Sequence, residues 1–260
     1  MDLGLKGKRA LVLGASRGLG AATAQVLARE GASVIVAARS VEDAKAWIAK
    51  EAPDVAAHLS AIKLDLSDRG SVDALADGLL PAGVDILVNN SGGPPPGAAA
   101  EIALDLWHQQ FAAMAGHIFH LTGRLLPAML ERGWGRIITI ASSGVEQPIP
   151  NLALSNGLRM AVLGWSKTLA AEVAAKGVTV NLVLPGRIHT DRVDQLDTAA
   201  ATKQGKSRDE ITKASQATIP MARYGRPEEF ADAVAFLASM RASYITGSKL
   251  RVDGGMIRSL

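Results

Sequence analysis

The feature that most constrains the fold is the run Gly14-Ala15-Ser16-Arg17-Gly18-Leu19-Gly20, which follows the apolar stretch Ala10-Leu13 and opens a helical pattern. Glycines there let the backbone turn tightly and approach a ligand, while free N–H groups and the helix dipole attract negative charge. Gly14, Ser16, Arg17, Gly18, Leu19 and Gly20 are therefore candidate contacts for a pyrophosphate. Their spacing, G-x-x-x-G-x-G, is looser than the common dinucleotide fingerprint and leaves room for a ligand nearer the turn.

Seven strand-like runs alternate with helical patterns: Ala10-Leu13, Ser33-Ala37, Ala61-Leu64, Asp85-Val88, Arg136-Ala141, Thr179-Leu184 and Lys249-Val252. They are nearly continuous in apolar residues, as expected of parallel strands covered by helices on both faces. Leu19, Ala22, Thr23, Val26 and Leu27 fall at helical spacing, and Gly31 sits where a C-cap glycine belongs. The fold class is α/β: a single Rossmann-type doubly wound domain over residues 1–260, with a seven-stranded parallel sheet flanked by helices. With 260 residues and 48% hydrophobic content, the chain can build the core this requires.

Two segments break the pattern: Gly92-Gly93-Pro94-Pro95-Pro96-Gly97 and a polar, Ala/Thr/Lys-rich stretch at about 191–218. Both follow carboxyl ends of strands, the edge at which open α/β sheets bind ligands. A stiff loop and a mobile substrate lid over one pocket are the expectation.

There is no cysteine, so thiol catalysis and cysteine-ligated metals are excluded and no metal is expected. The stretch from Met1 to Leu13 carries only a four-residue apolar run, too short for a signal core, and no apolar stretch approaches the ~18 residues of a membrane span. A cytoplasmic protein with no membrane partner is expected. The net charge of +3 is scattered and aromatics make up 4%, so no nucleic-acid surface is visible and a small anionic ligand suits the chain better.

NAD sites carry a carboxylate at the end of the second strand for the ribose 2′-hydroxyl. Here that end reads Ala37-Ala38-Arg39-Ser40. Arg39, helped by Arg17 and Ser16, suits a 2′-phosphate, which favours NADP(H) over NAD(H). Asp65 and Leu66, after the third strand, are placed beside the adenine.

The glycine turn, Asn89-Asn90-Ser91-Gly92 and the segment from Asn181 to Thr190 together resemble the short-chain dehydrogenase/reductase family over almost the whole chain. The tail segments Arg226-Pro227-Glu228-Glu229 and Val252-Asp253-Gly254-Gly255 make it most similar to the 3-oxoacyl-[acyl-carrier-protein] reductase group. The resemblance implies that Asn89, Ser91 and Gly92 line the cofactor ribose, and that Pro185, Gly186, Ile188 and Thr190 hold the nicotinamide carboxamide. It also implies a homodimer or homotetramer formed through long helices near Leu104-Leu130 and Asn151-Ala175.

The family uses Asn, Ser, Tyr and Lys for catalysis, the last two spaced Y-x-x-x-K. Alignment on Arg136-Ser142 and on Gly164-Lys167 places Ser142 at the serine, Ser155 at the tyrosine and Arg159 at the lysine, while Met114 falls at the asparagine. A tyrosine, pKa about 10, can be tuned into a proton donor. A serine hydroxyl titrates far higher, close to water itself, and is shorter by a ring. Arg159, also a candidate cofactor contact, keeps a positive field and can stabilise an alkoxide, but is a poor proton shuttle. A water between Ser155 and Arg159 is one route for the proton, with His117 and His189 as alternative donors. Trp107, Trp134 and Trp165 read as helix packing.

The leading function is an NADP(H)-dependent oxidoreductase acting on a small carbonyl or hydroxyl compound, a 3-oxoacyl thioester among the candidates. The alternative is a catalytically impaired NADP(H)-binding sensor or partner subunit. A lyase or isomerase in the same pocket has no positive sign in the sequence.

Overall fold

The computed structural model describes residues 2–259; Met1 and Leu260 lie outside the described residues. Seven strands, β1 (Arg9–Leu13), β2 (Ser33–Ala38), β3 (Leu59–Lys63), β4 (Ile86–Asn89), β5 (Gly135–Ile140), β6 (Val178–Pro185) and β7 (Lys249–Val252), form one sheet. Every pairing is parallel and the order is β3-β2-β1-β4-β5-β6-β7. The order reverses between β1 and β4, and their carboxyl ends open a crevice at that switch point.

Alternation along β1 divides the core. Ala10 and Val12 face a layer built from helices α1 (Gly18–Arg29) and α10 (Pro227–Ala238), with Val26, Leu27, Phe230 and Val234. Leu11 and Leu13 face the other layer, built from α4 (Arg69–Leu79), α6 (His117–Glu131) and α7 (Ala153–Val173), with Val72, Leu75, Leu121, Leu125 and Ala170. Phe230 alone, with no exposed surface, is worth about 1.5–3 kcal/mol of burial. The Gly31 N–H bonds the Ala28 carbonyl just after α1, as its C-cap position implies.

The expectation of near-continuous burial holds for β4, β5 and β6 but not at the sheet edges, where β3 and β7 alternate between exposed and half-buried residues. An edge strand has a neighbour on one side only, so the helical layers cover it incompletely.

A further expectation changes. The helix expected through Leu104-Leu130 is α5 (Leu104–Phe111), a π turn at Ala112–Gly116 and α6, so an extra residue enters the helical ladder at Met114. The polar stretch after β6, which breaks the strand-helix pattern in sequence, is a helical pair, α8 (Asp191–Gln204) and α9 (Arg208–Ala217). Its Ala, Lys and Gln content favours helix. Ser207 and Glu210 close a capping box at the start of α9. The remaining helices are α2 (Val41–Ile48) and α3 (Pro53–Ala56).

Candidate functional site

The glycine turn sits at the carboxyl end of β1 and runs into α1. Gly14 has φ +59° and a Cβ there would stand 2.9 Å from Asn90, while a Cβ on Gly20 would stand 2.6 Å from the Gly14 carbonyl oxygen. Neither position admits another residue without movement. Asn90 Nδ2 donates to the Leu13 and Gly14 carbonyls, and Trp47 Nε1 donates to the Ala15 carbonyl, so the turn is held from β4 and from α2. The N-cap residue of α1, Arg17, makes no side-chain cap and no acid occupies the first turn. The orphan N–H groups thus face the crevice without a competing carboxylate, which is the donor set a pyrophosphate requires. This is the observation on which a dinucleotide fits the chain.

At the end of β2, Arg39 is exposed and close enough to Asp65 to lower its pKa. The larger causes of that lowering are the hydroxyl and N–H of Ser67, both donating to the Asp65 carboxylate. Ser16 is half-buried and Arg17 exposed, so both arginines are open to solvent. Leu66 is fixed by its carbonyl, which accepts from His117 Nδ1 at 2.7 Å. That bond commits the Nδ1 of His117, one of the alternative donors, to the segment after β3.

Across the switch point, Ser91 is half-buried and Gly92 exposed. Asn89 has no exposed surface, and its Nδ2 donates to Thr122. The following loop is stapled to the start of α7 by bonds from Gly97 N to the Asn151 carbonyl and from Ala153 N to the Gly97 carbonyl. Arg192, in the first turn of α8, reaches over this loop, with Nη2 3.9 Å from where a Cβ on Gly93 would stand. Sequence reasoning passed over Asn90, Trp47 and Arg192; the paired Asn89-Asn90 was the one visible signal.

Ser142 follows β5. Its Oγ accepts from the Gly144 N–H at 3.1 Å, which leaves the hydroxyl proton free to donate outward. Ser143 beside it is buried, 4% exposed. Ser155 and Arg159 lie one turn apart on α7, both half-buried. The Arg159 guanidinium donates from Nη1 to the Ile140 carbonyl at 3.1 Å, and burial holds its pKa down at about 10. Met114 is 4% exposed in a cluster with Leu154, Leu158 and Trp107. It serves as core and brings no polar group to the site.

Pro185, Gly186, Ile188 and Thr190 lie on the segment from the end of β6 to the N-cap of α8, and Ile188 bridges to Gly225. The Thr190 methyl carbon lies 3.8 Å from where a Cβ on Gly18 would stand, so this segment faces the glycine turn directly. His189, itself largely exposed, instead points to Asp194, 3.3 Å away. Neither tyrosine replaces the absent one: Tyr224 donates to buried Asp197 at 2.7 Å, and Tyr244 is wholly exposed. Trp165 stacks on Phe119 with centroids 4.4 Å apart, and Trp134 receives Lys8 at 3.9 Å, in line with packing roles. Among the described residues no cluster of His, Asp or Glu could hold a metal, and no helix is long and apolar enough to cross a membrane.

Residues 14–257 match the family described as enoyl-(acyl carrier protein) reductase. The chain is 38% identical to nodulation protein G of Azospirillum brasilense over 96% of this chain and 98% of that one. It is also 38% identical to the 3-oxoacyl-[acyl-carrier-protein] reductase FabG of Vibrio cholerae, over 98% and 99%. Among solved structures, the L-sorbose reductase of Gluconobacter frateurii, complexed with NADPH and L-sorbose, superposes with a TM-score of 0.94 at 32% identity, covering 100% of both chains.

Proposed function

Given that the chain belongs to the short-chain dehydrogenase/reductase family, close to its 3-oxoacyl-[acyl-carrier-protein] reductase group, and is thus an NAD(P)-dependent oxidoreductase by kinship, we propose that it reduces a carbonyl compound with NADPH. The observation that carries this reading is the Ser142 hydroxyl, held by Gly144 with its proton free, on the same strand end that Arg159 grips at Ile140.

In this reading Gly14, Ser16, Arg17, Gly18, Leu19 and Gly20 receive the pyrophosphate, and Arg39 with Arg17 receives a 2′-phosphate. Asp65 and Leu66 border the adenine. Ser91, Gly92, Pro185, Gly186, Ile188 and Thr190 align the nicotinamide end, with Asn89 supporting them from below. When bound, the reduced nicotinamide supplies the hydride. Ser142 donates a hydrogen bond to the substrate carbonyl, and Arg159 holds a fixed positive charge where the oxygen gains electron density. Ser155, too basic as an alkoxide to give up its own proton, orders the water that delivers one. The α8/α9 pair acts as the substrate lid, a 3-oxoacyl thioester is the substrate class to try first, and the assembly is a homo-oligomer in the cytoplasm.

The rival reading, a cofactor-binding sensor or partner subunit that has lost turnover, is favoured by one observation: Met114, Ser155 and Arg159 replace three of the four family side chains, and both tyrosines lie elsewhere. NADPH oxidation by the native protein and by the double variant Ser155→Tyr with Arg159→Lys separates the two. Native turnover supports the reductase; activity only in the double variant supports the rival.

A further inference from the structure

Four buried side-chain polar atoms among the described residues lack a protein partner: Asn89 Oδ1, Thr139 Oγ1, Arg159 Nε and Ser166 Oγ. The first three belong to residues that line a single cavity between the ends of β4 and β5, the π turn and α7. That cavity gives about 10 Å³ to the centre of a water molecule, close to the least that one buried water requires. Its polar groups are complementary. The Arg159 Nε–H can only donate. Asn89 Oδ1, turned inward because Nδ2 is committed to Thr122, can only accept, and the Thr139 hydroxyl does either. An anion would meet the Asn89 oxygen and a cation would meet the guanidinium, whereas water donates and accepts at once.

We infer that Asn89, Thr139 and Arg159 bind one ordered water, and that through it Thr139 acts as a positioning residue for the Arg159 guanidinium. With Nη1 on the Ile140 carbonyl and Nε on this water, two guanidinium nitrogens are anchored to neighbouring strands, and the plane of the group is fixed against the end of β5, two residues before Ser142. Removing the Thr139 hydroxyl leaves the water one partner short and frees that plane. The catalytic consequence rests on the reductase reading; the hydration site does not.

The test is a high-resolution crystal structure of the native protein, with bromide-soaked crystals alongside, and kinetics of Thr139→Val and Thr139→Ser. The expected result is one isolated density peak within hydrogen-bond distance of all three atoms, without bromide anomalous signal. Thr139→Val should lose the peak and about tenfold in kcat with an unchanged substrate KM, and Thr139→Ser should regain both. An empty cavity or a bromide peak overturns the water site, whatever the activity. Native-like kcat in Thr139→Val overturns the positioning role. If the native protein turns over no substrate, the reductase reading fails while the density still decides the water.

Discussion

Arg159 donates through Nη1 to the Ile140 carbonyl oxygen at 3.1 Å, tying the second turn of α7 to the last residue of β5, two residues before Ser142. A charge so anchored cannot swing with the substrate, so its work is electrostatic. Arg159→Met is expected to lower kcat/KM by about 10²-fold or more, the cost of removing one preorganised oxyanion partner, with Arg159→Lys staying within about tenfold. Burial, which disfavours the charged form, holds this group at about 10. The cation is therefore complete at neutral pH and is lost as pH rises through that value. The kcat/KM profile should be level near neutrality and fall on its alkaline side, with Arg159→Met lacking that limb.

Arg39 stands exposed at the end of β2 beside Asp65, at the position where a carboxylate would select NAD. Replacing it by Asp removes a charge-assisted contact worth about 1.5–3 kcal/mol, so the NADPH Kd should rise by about 10- to 100-fold while NADH binding holds or improves. Fluorescence titration of both cofactors checks it, and equal loss for both would place Arg39 outside the ribose site.

The fold was legible because its signals are local and repeated: the turn at Gly14 to Gly20, and the apolar runs of β4, β5 and β6. What the sequence hid is tertiary. Trp47 holds the turn from α2, a helix with no motif to mark it, and Met114 enters a π turn that periodicity reads as plain helix. Asn89 matches a cofactor motif, and its complete burial and bond to Thr122 are not visible in that motif. The stretch over α8 and α9 read only as a polar, mobile lid because it carries few apolar residues to mark a helical face, although the Ser207 to Glu210 spacing announced a helix start.

Asp197, 2% exposed on α8, accepts from Tyr224 and from Thr212 of α9 and pairs with Arg187. Tyr224→Phe leaves a buried carboxylate short of a donor, at a cost of about 1–3 kcal/mol. Thermal denaturation should show a Tm several degrees lower, and limited proteolysis should cut within 191–217 sooner. An unchanged Tm would show that this hub does not hold the helical pair.

Acid stability carries a separate signature. Arg223, through paired side-chain bonds, and the Arg226 N–H hold the Glu229 carboxyl at about 2, below its ordinary 4.5. Its stabilising effect is complete above the unfolded pKa and is lost as pH falls through the folded one. The Tm gap between the native protein and Glu229→Gln should be constant above about pH 5 and close as pH approaches 2, which a series of melting curves can follow.

The central claim is that this altered site still transfers hydride, with Ser142 engaging the carbonyl. The most direct measurement is NADPH oxidation by the native protein and by Ser142→Ala across ketones, aldehydes and 3-oxoacyl thioesters, with NADPH affinity measured in parallel. Native turnover that falls by about 10²-fold or more in Ser142→Ala, at unchanged NADPH affinity, is the predicted result. A native protein that binds NADPH tightly yet oxidises it with no substrate, or a Ser142→Ala variant as active as the native chain, would contradict it.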